Sequence, residues 1–210
     1  GIRHLVNRDP NYPDGITIRP APEGLLKRAD YRDGLRALQR LGISYDAMLY
    51  HSQLSDLVET LALVPDLSVI LNHYGMPLGV GPYSTRRDEV FATWAANIRR
   101  LAELPNVTVK MGGLGMVLTG ANWHNRPIPP GSQQLSEAWR PWFDTCLAAF
   151  GPDRCMFESN FPVDKGMFSY TVLWNAFKRL AADLSAADRA ALFHDTAARA
   201  YRLPQEEAPE

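Results

Sequence analysis

The stretch LSVILNH, Leu67 to His73, decides how the rest of the chain is read. Leu67, Val69, Ile70 and Leu71 form a short apolar run that delivers Asn72 and His73 to the turn-like YGMP. A run this short and apolar reads as a buried strand of the kind a parallel sheet needs between helices. Its last residue is then carried to the carboxyl end of that sheet.

Working outward, four more runs of this kind occur: GIRHLV at 1–6, ISYDAMLY at 43–50, NVTVKM at 106–111 and RCMFES at 154–159. Helical patterns lie between them. YRDGLRALQRL stops before Gly42 and LSDLVETLALV before Pro65, both at ordinary helix-stop signals. A longer helix is expected over 86–103, with Thr85 as its cap and Asp88 in the capping-box position. LSEAWRPWFDTCLAAF forms another, in which Pro141 must sit near the start or kink it. Two closing helices follow the last strand, YTVLWNAFKRLAADL and then SAADRAALFHDTAARAYRL, the second opened by Ser185 with Asp188 three residues on. This alternation gives an α/β fold with a parallel sheet and helical crossovers. Long polar loops leave the strand ends at 7–29, 73–84 and 112–134, where such folds place their sites.

Composition narrows the function. The chain has 210 residues, 46% hydrophobic and 21% charged, enough for a substantial core in one unit over 1–203, with 204–210 expected to be a disordered tail. Its formal net charge of −1 gives no basic surplus for nucleic acid or an anionic membrane. The expected partner is a small molecule or another protein, with a homo-oligomer left open. No apolar run reaches the roughly 18–20 residues of a membrane span, and GIRHLVNRDP lacks a signal-peptide layout, so a cytoplasmic location is expected. Cys146 and Cys155 form no CxxC pair and read as two free buried thiols. The sequence opens at Gly1 in what reads as a strand already inside a domain, and is expected to be a portion of a longer protein.

Period-2 alternation assigns faces. In NVTVKM the apolar set Val107, Val109 and Met111 suits covering helices, which turns Lys110 inward. In CMFESN, Met156, Glu158 and Asn160 share a line, with Glu158 and Asn160 about 6–7 Å apart by strand rise. In GIRHLV, Arg3 lies opposite Ile2 and His4 and is the inward candidate, a guanidinium suited to a carboxylate or polar carbonyl. His73, at a strand's carboxyl end, can ligate a metal, polarise a carbonyl or move a proton. His51 has a similar place, but it also precedes a helix start and reads first as structural. His124 reads as an exposed loop residue and His194 as helix packing or surface. GGLGM lacks a closely following helix start for phosphate, no GxSxG occurs, and Ser159 faces the apolar side, which argues against a serine nucleophile.

GIRHLVNRDP, SVILNHYGMP, VTVKMGGLG and RCMFESNFPVDK followed by AARAYRL together resemble the amidohydrolase-2 branch of the amidohydrolase superfamily, in order from Gly1 to about Leu203. The resemblance implies a (β/α)8 TIM barrel with its site at the carboxyl ends of the strands, here visible as five parallel βα units. It places His73 at the strand-end histidine that binds metal or polarises the scissile carbonyl, and Arg3 at a substrate-holding arginine. The sequence departs from the branch in two ways. No His-x-His strand is present, and Asn160 stands where relatives carry an Asp in an S-D-W-P pattern.

An amide side chain can orient water, but it cannot take a proton at neutral pH. Three residues can fill the role: Glu158 from one layer deeper, Asp164 folding back from the loop, or His73 itself. The expected activity is hydrolysis of a lactone or related cyclic ester or amide of a small polar acid. Arg3, Lys110 and His51 would be on the substrate side, and a divalent metal, zinc or manganese, is compatible with His73. The rivals are a decarboxylase or hydratase on the same barrel and a non-catalytic ligand-binding module.

Overall fold

The computed structural model describes residues 1–11 and 21–204. The expected tail falls almost wholly outside them. Five strands are present: β1 (Ile2–Leu5), β2 (Tyr45–Met48), β3 (Val69–Leu71), β4 (Val107–Met111) and β5 (Cys155–Phe157). All neighbours pair parallel, in chain order β1 to β5. The helices are α1 (Ala29–Arg40), α2 (Leu54–Leu61), α3 (Arg87–Ala102), α4 (Ser132–Phe150), α5 (Tyr170–Leu180), α6 (Ala186–Ala190) and α7 (Thr196–Tyr201), with a π-helical turn at Ala191–Asp195 between the last two.

This is five consecutive units of a (β/α)8-type barrel. Among the described residues the sheet does not close. β1 pairs only with β2, its four residues are exposed, and Ile2 and Leu5 keep 46% and 56% of their surface in water.

The alternation within each strand explains where the core lies. Tyr45, Ala47, Val69, Leu71, Val107, Val109, Met111, Cys155 and Phe157 point to one face and pack with helix residues such as Leu57, Trp94, Ile98, Phe143 and Phe177. Ile70 and Met156, on the other face, are buried but stand outside that cluster. The inner face therefore starts with Arg3, Asp46, Ile70 and Thr108 side by side in register, and carries Lys110 beside Met156 one layer higher.

Two local expectations change. α3 begins at Arg87, so Thr85 is not its cap. Arg86 occupies that position without a side-chain cap bond, and its Nε donates to Glu89 at 2.8 Å. Asp88 and Glu89 in the first turn complement the helix dipole instead. α4 starts at Ser132, three residues earlier than expected, and Pro141 lies within it. Ser185 does cap α6, accepting from the Asp188 N–H at 3.1 Å. Cys146 and Cys155 are free and buried, and burial raises the thiol of Cys155 to about 12.

Candidate active site

The chain leaves β3 through an uncommon backbone. His73, Tyr74, Gly75 and Met76 all have positive φ, at 53°, 56°, 69° and 41°. Each L-residue held there costs about 1–2 kcal/mol, so only a turn fixed from outside persists. The fixing groups are present. Within the turn, the Gly75 N–H donates to Asn72 O and the Met76 N–H to His73 O, both at 2.8 Å. From outside, Trp94 Nε1 donates to Tyr74 O at 2.6 Å, and the His51 backbone N–H donates to Met76 O at 3.2 Å.

His51 thus serves this turn from beneath. Its Nδ1 accepts from the Leu78 N–H at 3.2 Å, and its ring meets Tyr83 edge-on at 5.0 Å. Burial lowers its pKa to about 4, against an opposing pull from Asp9, so the ring is neutral at physiological pH. Asp9 is itself buried and accepts from Ser52 Oγ at 2.6 Å and Tyr83 OH at 2.8 Å.

The turn presents His73, 5% exposed, to the end of β5. Glu158 Oε1 lies 2.5 Å from His73 Nδ1, off the line of a hydrogen bond, and accepts from the His73 backbone N–H at 3.2 Å. Glu158 Oε2 is 3.9 Å from Lys110 Nζ, which is 3.4 Å from Asp46 Oδ1. Two residues on, Asn160 is also left-handed, with φ 51°, and its Nδ2 donates to Asp164 Oδ1 at 3.0 Å.

Asp164 is 1% exposed, and its Oδ2 is buried without a hydrogen-bond partner among the described residues. Burial raises its pKa to about 7. The bond from Asn160 and the nearby His73 oppose that rise, while Glu158 adds to it.

The GGLG segment after β4 brings these groups close. A Cβ on Gly112 would lie 2.4 Å from Glu158 Cγ, one on Gly113 2.9 Å from His73 Nδ1, and one on Gly115 3.0 Å from Asp164 Cγ. One turn of backbone therefore touches all three titratable groups, and its glycines are there for contact rather than for phosphate.

The structure thus gathers His73, Glu158, Lys110, Asn160 and Asp164. Arg3 lies in register with Asp46, exposed on the edge strand, and makes no ion pair with Glu158 among the described residues. His51 belongs to the neighbouring Asp9–Tyr83 group. His124 and His194 are exposed.

Four participants escaped the sequence reading. Asp46 and Tyr201 meet Lys110: Tyr201 OH donates to Asp46 Oδ1 at 2.7 Å, and Lys110 Nζ sits 5.0 Å from the Tyr201 ring centre. Asp46 was legible as an inward residue of β2, whereas no local signal in AARAYRL marks Tyr201. Asn72 is fully buried with both amide atoms unpartnered among the described residues, as are those of Asn7 after β1.

As for metal, His73 Nδ1 and Asp164 Oδ2 are buried without hydrogen-bond partners among the described residues. Among those same residues no three His, Cys, Asp or Glu side chains are grouped as a metal site requires. These residues do not by themselves fit a divalent ion.

A parallel sheet of five βα units with a His–carboxylate contact and a buried aspartate gathered at its strand ends is the architecture of part of a (β/α)8-type barrel. The amidohydrolase family model matches residues 1–203, and the chain belongs to that family. It is 40% identical over 204 residues to the uncharacterized protein y4mH of Sinorhizobium fredii, covering 97% of this chain and 61% of that protein. It is 35% identical over 178 residues to an L-fucono-1,5-lactonase of Burkholderia multivorans, covering 84% of this chain and 57% of that one.

An amidohydrolase crystal structure from Burkholderia multivorans with bound HEPES superposes with TM-score 0.79 at 32% identity, covering 97% of this chain and 65% of that one. A second crystal form, with bound zinc, gives 0.78 at 31%, covering 97% and 64%. The chain thus spans about three fifths of the length of the curated relatives it matches. Among the described residues, no helix is long and apolar enough to cross a membrane.

Proposed function

We propose that this chain contributes to a hydrolase that opens a lactone of a small polar acid, with Asp164 in the role that Asn160 cannot fill. The observation that carries the reading is the Asn160–Asp164 pair: the amide donates to one carboxylate oxygen and leaves the other buried and, among the described residues, without a hydrogen-bond partner near His73 and Glu158. A carboxyl group with a pKa near 7 suits general base catalysis in neutral solution. The named lactonase relative supports the lactone as substrate class.

In this mechanism the lactone carbonyl lies against His73, which acts as the imidazolium, with Nδ1 facing Glu158 and Nε2–H donating to the carbonyl oxygen to polarise it. A water positioned by Asn160 attacks the carbonyl carbon as Asp164 Oδ2 takes its proton. Collapse of the tetrahedral intermediate breaks the ring C–O bond, and Asp164 returns the proton to the leaving alkoxide to give a hydroxy acid. Lys110 offsets part of the negative charge of Glu158 and Asp46. The amides of Asn7 and Asn72, unpartnered among the described residues, offer donors and acceptors for ring hydroxyls.

The reading is tested by acid release from a panel of sugar and aromatic lactones, with His73→Ala in parallel. Turnover that the variant loses by at least about a hundredfold is expected. A folded protein that releases no acid from any of the panel would sink the proposal.

A further inference from the structure

Lys110 is held from two directions. On one side Glu158, at 3.9 Å, connects it to His73. On the other side stands Asp46, at 3.4 Å, whose same oxygen accepts the Tyr201 hydroxyl at 2.7 Å. The Tyr201 ring also lies beneath the ammonium group, 5.0 Å from centroid to Nζ. Lys110 and Asp46 are 8% and 7% exposed, so these contacts are little screened by water. The chain of contacts Tyr201–Asp46–Lys110–Glu158–His73 joins the last helix to the strand-end histidine, across 155 residues between its first two members.

We propose that Tyr201 is a positioning residue: its hydroxyl fixes the Asp46 carboxylate, Asp46 and the Tyr201 ring fix the Lys110 ammonium, and Lys110 sets Glu158 against His73. An aliphatic side chain at 201 would leave Asp46 free to turn and Lys110 without its ring. Phenylalanine keeps the ring and removes only the hydroxyl bond, which isolates the link being claimed. The catalytic part of this inference rests on the hydrolase reading; the positional part does not.

The test compares the full chain with Tyr201→Phe and Asp46→Asn by three measurements. The first is the imidazole 1H–15N spectrum of His73, with the His51 signals as an internal reference because His51 lies in the Asp9–Tyr83 group. The second is the rate of reductive methylation of Lys110. The third is lactone turnover. The expected result for Tyr201→Phe is a displaced His73 signal with His51 unmoved, Lys110 methylated about threefold to tenfold faster, and kcat down about tenfold with KM changed less than about twofold. Asp46→Asn is expected to give the same pattern, larger.

A folded Tyr201→Phe protein with wild-type His73 signals and wild-type Lys110 reactivity overturns the inference. Should Tyr201→Phe not fold, the same two readouts on Asp46→Asn decide the matter in the same sense. If the wild-type chain opens no lactone, the hydrolase reading fails, while the first two measurements still decide the inference.

Discussion

Asp164 is the residue on which both function and stability turn. Holding a carboxyl group in a site that raises its pKa from 3.8 to about 7 favours its protonated form in the folded state. The cost of ionising it there grows as pH rises from about 4 to about 7, then levels off. Asp164→Asn keeps an oxygen to accept from Asn160 and removes the charge. It is expected to raise unfolding free energy at pH 8 by about 1–3 kcal/mol in urea titration while abolishing lactone opening.

Activity of the wild type is expected to climb with pH through about 7, as the carboxylate form appears, and a flat profile from pH 5 to 9 would remove Asp164 from the base role. Gly113 gives a second residue-scale prediction. It has φ 78°, and a methyl group placed on it would come within 2.9 Å of His73 Nδ1, so Gly113→Ala is expected to lower stability by about 1–3 kcal/mol and to displace His73. A melting curve and the His73 imidazole signals check both effects.

At the scale of elements, the sequence revealed much of what the strands do and little of what the loops do. Period-2 alternation in NVTVKM and CMFESN placed Lys110 and Glu158 on the inner face because a pleated strand leaves a side chain no other choice. It could not reveal that the turn from His73 to Met76 is left-handed. Three of those four residues are types that rarely adopt such a conformation, and the bonds that impose it come from Trp94 and His51, distant in sequence. His51 was ambiguous for the same reason: its meaning lies in the bond it accepts from the Leu78 N–H, which no local pattern announces. Thr85 misled because capping statistics compete with an Arg86–Glu89 ion pair one residue later. The turn itself can be tested. Trp94→Phe removes the donor to Tyr74 O while keeping an aromatic ring in the core. It is expected to cost about 1–3 kcal/mol and to speed amide hydrogen exchange in 73–78 more than in β4.

For the whole molecule, two buried groups give opposite pH dependences. His51 is neutral in the fold down to about pH 4, whereas in the unfolded chain it binds a proton below about 6.5. Its contribution is fully present above pH 6.5 and is lost progressively as pH falls from 6.5 to 4. Asp164 acts the other way, weakening the fold as pH rises towards 7. Unfolding midpoints in urea from pH 4 to 8 are therefore expected to rise more steeply with pH in Asp164→Asn than in the wild type. In His51→Gln the loss of stability on acidification between pH 6.5 and 4 is expected to shrink.

The backbone segment from Gly112 to Gly115 also bears on how such a protein can change. Because that single turn rests against Glu158, His73 and Asp164 at once, the spacing of the reactive groups is set by main chain. Substitutions away from that turn and from the Tyr201–Asp46–Lys110 contacts leave that spacing alone. New substrates would then be gained by altering the loops around the strand ends, with the chemistry carried along unchanged.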